Sequence, residues 1–138
     1  MEKRYNVMIV EDDAFIRKVL RQSLHQDFEV ISHINAFEAM DWLEKGNPVD
    51  IILTDLKMPF MNGQEFIRTI RASALFRKTP IIILSTFDDS ATRIACLEEG
   101  ADDYMIKPFN PMEVKAKIMA VLRRTEHRVK PSSAGATE

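Results

Sequence analysis

Hydrophobic residues in this chain gather in short unbroken runs, separated by stretches with the longer period of a helix. Two runs are nearly pure. Val49 and Ile51-Ile52-Leu53 lead into Thr54-Asp55, and Ile81-Ile82-Ile83-Leu84 closes on Ser85-Thr86. Continuous apolar runs of this length, without alternation, predict strands buried on both faces. Residues 5–10 and 28–33 predict two more strands, and residues 103–107 a short fifth.

Five helices are predicted between and after these strands. Behind the acids Glu11-Asp12-Asp13, an apolar stripe runs through Ile16, Leu20 and Leu24, with Arg17, Lys18 and Arg21 facing out. Asn35 with Glu38 forms a capping pattern ahead of Ala39, Met40 and Leu43, and Gly46 and Pro48 end that helix. Asn62-Gly63-Gln64-Glu65 repeats the pattern before Phe66, Ile67 and Ile70. A fourth helix, capped by Asp88, Asp89 or Ser90, stops at Gly100. Its stripe of Ala91, Ile94, Ala95 and Leu97 is weak, which predicts a loosely held element. Pro111 opens the fifth, whose core face is Val114, Ile118, Val121 and Leu122, with Arg123 and Arg124 near its end. From about residue 126 the periodicity fails, so residues 1–125 form the predicted domain and 126–138 a disordered tail or linker.

Alternating strands and helices predict an α/β fold, a parallel sheet covered on both faces with right-handed crossovers. All strands then end at the same edge. The first delivers Glu11, Asp12 and Asp13, the third Asp55, the fourth Ser85 and the fifth Lys107. Residues far apart in sequence are thereby expected in one cleft, outside the carboxyl ends of the strands.

Composition narrows the function classes. A net charge of −2 over 138 residues predicts no direct nucleic-acid binding by this segment and no membrane association. No stretch is apolar enough to span a bilayer, and a single cysteine, Cys96, allows no internal disulfide, which fits a cytoplasmic location. Only four glycines are present, in neither a P-loop nor a dinucleotide-binding pattern. His25, His33 and His127 are scattered and suggest no zinc site.

Three or more carboxylates gathered at one point repel one another and call for a cation. An all-oxygen donor set suits a hard ion such as Mg²⁺. With Lys107 as a mobile positive charge and Ser85 as a hydroxyl donor, the cleft suits a transferring phosphoryl group, and Asp55 is the candidate nucleophile. Asp13 reads first as the cap of the first helix, and Met58 and Met61 as packing.

Val10-Glu11-Asp12-Asp13, Asp55-Leu56-Lys57-Met58-Pro59-Phe60-Met61-Asn62-Gly63, Ser85-Thr86 and Lys107-Pro108-Phe109 together resemble the receiver domains of bacterial two-component response regulators, chemotaxis regulators among them. The resemblance covers residues 5–125 and implies a flavodoxin-like (βα)5 fold with strand order 2-1-3-4-5. It implies that Asp55 accepts a phosphoryl group from a phosphohistidine on a sensor histidine kinase or phosphotransfer protein. Mg²⁺ would be held by Asp12, Asp55 and the backbone carbonyl of Lys57, with Glu11 acting largely through water. Lys107 would pair with the phosphoryl group, the Lys107–Pro108 bond would be cis, and Gly63 would be structural. Ser85 and Tyr104 would form a switch that remodels the face of helix 4, strand 5 and helix 5. That face would meet a downstream target, a tethered output domain or, in the phosphorylated form, a second copy. Such a domain catalyses its own phosphorylation and slow dephosphorylation rather than serving as an enzyme for other substrates.

Ser85 stands where threonine is commoner in the family, and Thr86 where a smaller residue is usual. Two other readings fit parts of the sequence: a pseudo-receiver adaptor that ignores phosphate, and a Mg²⁺-dependent phosphatase with an Asp nucleophile. The intact acids and Lys107 oppose the first. Leu56, Lys57 and Met58, which supply no second acid after Asp55, oppose the other.

Overall fold

The computed structural model describes residues 4–137, with side chains described through Thr125. Strands and helices alternate as β1 (Asn6–Val10), α1 (Ala14–Leu24), β2 (Glu29–His33), α2 (Ala36–Glu44), β3 (Ile51–Asp55), α3 (Gly63–Ala72), β4 (Ile81–Ser85), α4 (Ser90–Glu99), β5 (Asp103–Ile106) and α5 (Pro111–Thr137). The tail expected at 126–138 falls outside the fully described residues. The sheet is parallel throughout, in the order β2-β1-β3-β4-β5.

Strict alternation along the strands divides the interior in two. Met8, Val10, Ile52, Ile81 and Ile83 face Leu43 of α2, Phe66, Ile67 and Ile70 of α3, and Cys96 of α4. Val7, Ile9, Ile51, Leu53, Ile82 and Leu84 face Leu20 and Leu24 of α1 and Val114, Ile118 and Val121 of α5. β3 and β4 are buried at every residue, and their polar side chains are confined to the carboxyl ends, where Thr54 Oγ1 is satisfied by donating to Asp55 O at 3.0 Å. The acid within the β3 lead-in is accounted for: Asp50 Oδ2 accepts from Asn6 N at 2.7 Å, which satisfies the first amide of β1.

The helix starts follow the caps. Asp13 Oδ1 accepts from Phe15 N at 2.8 Å, Asn35 Oδ1 from Glu38 N at 2.8 Å, and Asp89 Oδ2 from Thr92 N at 2.8 Å. Asn62 and Glu65 close a reciprocal capping box. In α4 the buried residue is Cys96, while Ile94 and Leu97 are exposed. The weak stripe is thus turned so that a small thiol, not a branched side chain, meets the sheet. The C-terminal end of α4 is clamped from α3, where Arg71 Nη2 donates to Gly100 O at 2.7 Å and to Asp102 Oδ2 at 3.0 Å.

Register places the site. Val10 pairs with Thr54, Asp55 with Leu84 and Ser85 with Ile106, so β1, β3, β4 and β5 finish level with one another. Glu11, Asp55, Ser85 and Lys107 therefore leave the sheet at one edge.

Candidate functional site

Asp55 is the last residue of β3 and is nearly buried, 9% exposed. Its Oδ1 accepts from Leu56 N at 2.7 Å and lies 3.4 Å from Lys107 Nζ. The same ammonium bonds Glu11 Oε1 at 2.7 Å. Glu11 is pinned further: its amide donates to His33 O at 3.0 Å, and its Oε2 accepts from Asp13 N at 3.2 Å. Asp12 is exposed, yet one carboxylate oxygen from each of Glu11, Asp12 and Asp55 falls within 4.8 Å of the others.

One lysine faces three acids, and the imbalance registers on Glu11. Burial, reinforced by the charge of Asp55 and opposed by Lys107, pushes its carboxyl from the ordinary 4.5 up to about 7. A cluster of three carboxylates, one of them penalised by burial and faced by a single lysine, is suited to a metal ion. Its donors are all oxygen, and the exposed Asp12 opens it to solvent.

The remaining strand exits line the same mouth. Lys107 N donates to Ser85 O at 2.7 Å, which brings the ends of β4 and β5 together, and the Lys107–Pro108 bond is cis. Ser85 is buried, and its Oγ accepts from Phe87 N at 3.0 Å. Tyr104 is turned inward at 7% exposure, and its hydroxyl donates to Phe87 O at 2.7 Å. Burial raises that hydroxyl above its usual pKa. The loop between Ser85 and α4 is thus held from both sides through Phe87. The Lys57 ammonium sits 5.5 Å from the centre of the Phe87 ring.

Gly63 closes the loop that follows Asp55. Its amide donates to Leu56 O at 2.7 Å, and a Cβ there would lie 2.7 Å from Asp55 O and 2.9 Å from Leu56 Cα. Only glycine lets α3 begin this close to the end of β3. Asp13 stays with α1 as its cap.

Two features escaped the sequence reading. Arg17 does not face out but folds back, with Nη1 donating to Glu11 O at 2.7 Å. A cation in the first turn of a helix opposes the helix dipole, and that was the available signal. Phe60 adopts a left-handed φ of 73° while 79% exposed, with its ring 6.1 Å from that of Phe37. No periodicity marks such a residue.

A level row of strand exits carrying an acidic pair, a central aspartate, a hydroxyl and a lysine defines a class. Residues 7–119 match the response regulator receiver domain family, and the chain belongs to it. It is 40% identical over 126 residues to a protein of Guillardia theta described as the "probable transcriptional regulator ycf27", covering 91% of this chain and 48% of that one. Among solved structures, Vibrio cholerae chemotaxis protein CheY4 is similar with a TM-score of 0.81 at 28% identity, covering 86% of this chain and 99% of that one. The receiver domain of Francisella response regulator 1452 has a TM-score of 0.80 at 28% identity, covering 88% and 99%. The chain spans about half the length of the curated relatives it matches. Receiver domains act in two-component systems, in general as signalling switches. Among the described residues no helix is long and apolar enough to cross a membrane.

Proposed function

We propose that this chain is a Mg²⁺-dependent, phospho-accepting switch whose acceptor is Asp55. The observation that carries the reading is the placement of Lys107 Nζ, 3.4 Å from Asp55 Oδ1 and 2.7 Å from Glu11 Oε1, beside the acidic cluster. A carboxylate oxygen of Asp55 attacks the phosphorus of a phosphohistidine on a sensor histidine kinase or phosphotransfer protein. The P–N bond breaks, the imidazole leaves with a proton from solvent, and an acyl phosphate remains.

Mg²⁺ fits the cluster, which offers hard oxygens, surplus negative charge and an open side at Asp12. Asp12, Asp55 and the Lys57 carbonyl would hold it, with Glu11 through water. When bound it supplies positive charge to the phosphoryl oxygens. Lys107 neutralises the remaining charge as the new P–O bond forms.

Ser85 and Tyr104 form the switch in this reading. A phosphoryl group on Asp55 draws the Ser85 hydroxyl from Phe87 N, and the Phe87 carbonyl keeps Tyr104 inward. The β4–α4 loop connects this change to the face of α4, β5 and α5. That face docks a downstream target or a tethered output domain, and pairs phosphorylated copies. The domain works in the cytoplasm.

Incubation with Mg²⁺ and acetyl phosphate, read by intact-protein mass, tests the assignment. Wild type is expected to gain one phosphoryl group and Asp55→Asn none. An unmodified wild type would return the chain to the adaptor reading, and sustained turnover of a phosphate ester would return it to the phosphatase reading.

A further inference from the structure

The position of Arg17 needs a reason. It stands in the first turn of α1, where the helix dipole disfavours a cation, yet its guanidinium is half-buried against the Glu11 carbonyl at 2.7 Å. That carbonyl belongs to the peptide joining Glu11 to Asp12. Asp12 is the exposed member of the acidic cluster, so its direction is set mainly by the backbone on either side. The following residue is held by the cap, with Asp13 Oδ1 accepting from Phe15 N and Ile16 N. The preceding peptide is held by Arg17.

We infer that Arg17 is a positioning residue for the cation site, locking the Glu11–Asp12 peptide so that both carboxylates converge with Asp55. The inference rests on the reading of that cluster as a Mg²⁺ site. Hydrogen-bonded partners behind a ligand orient it and commonly govern metal affinity by tenfold or more. The charge of Arg17 acts in the opposite direction. A guanidinium near the cluster repels a divalent cation, so its removal on electrostatic grounds alone would tighten binding.

That opposition of sign decides the experiment. Mg²⁺ affinity is measured by titration calorimetry for wild type, Arg17→Ala and Arg17→Lys, alongside the melting temperature of each without metal. A positioning role predicts about tenfold weaker binding in Arg17→Ala with most of the loss recovered in Arg17→Lys, which keeps a donor able to reach the carbonyl. Equal or tighter binding in Arg17→Ala overturns the inference and leaves the metal site standing. No Mg²⁺ uptake by wild type overturns both. If Arg17→Ala does not fold, Arg17→Met, which keeps the packed stem and lacks the donor, is read in its place by the same criteria.

Discussion

Lys107 and Glu11 meet at 2.7 Å across the ends of the first and last strands, closer than Lys107 approaches Asp55 at 3.4 Å. The lysine is engaged chiefly by the acid beside the acceptor. Its pairing with Glu11 offsets only part of the burial penalty, and the Glu11 carboxyl remains at about 7. A folded-state pKa above the ordinary 4.5 means that the native protein binds this proton more tightly than the unfolded chain. The contribution to stability is therefore full below the ordinary value and is lost as pH rises through about 7. A metal needs the ionised carboxylate, so its stabilising effect has the opposite slope. Melting curves from about pH 5 to pH 9, with chelator and with Mg²⁺, are expected to diverge as pH rises. A Mg²⁺ shift of equal size at both ends would show that Glu11 is not linked to the site.

Gly63→Ala should be costly although the added group is one methyl. The methyl would meet backbone at 2.7 and 2.9 Å, and backbone cannot swing aside. The start of α3 must retreat from the end of β3, straining the bond from Gly63 N to Leu56 O. Urea unfolding is expected to show a loss of about 1–3 kcal/mol. Because this loop carries Lys57, Mg²⁺ affinity should fall as well. Wild-type stability in the variant would mean that the loop moves freely.

Phe60 invites the opposite experiment. A left-handed φ costs a residue with a Cβ about 1–2 kcal/mol. Here the ring is 79% exposed, so little burial offsets it. The contact with Phe37 returns about 0.5–1.5 kcal/mol. Phe60→Gly is expected to leave stability unchanged or to raise it by up to about 1 kcal/mol, despite deleting a large apolar side chain. A clear loss in thermal melting would assign the Phe37–Phe60 pair a larger structural role.

The elements and the chemistry at their ends were legible along the chain. The runs 51–53 and 81–84, short and rich in β-branched isoleucine, read as two-sided strands, and polar residues return only toward their carboxyl ends, so Asp55 and Ser85 marked the exits. Asn35 and Asn62 disclosed their helix starts because a cap is a bond between near neighbours. Local rules sufficed wherever the partners lay within a turn of one another. The tertiary structure decided everything that depends on which strand lies beside which. Level registers bring Lys107 onto Glu11, and a bond from the hydroxyl of Tyr104 to Phe87 O holds that ring inward. Arg17 turned back toward Glu11 because a carbonyl at the end of β1 was within its reach, a fact absent from the helical period that pointed it outward. Periodicity reports which face a backbone position occupies; a long side chain goes to whatever acceptor the fold brings near it.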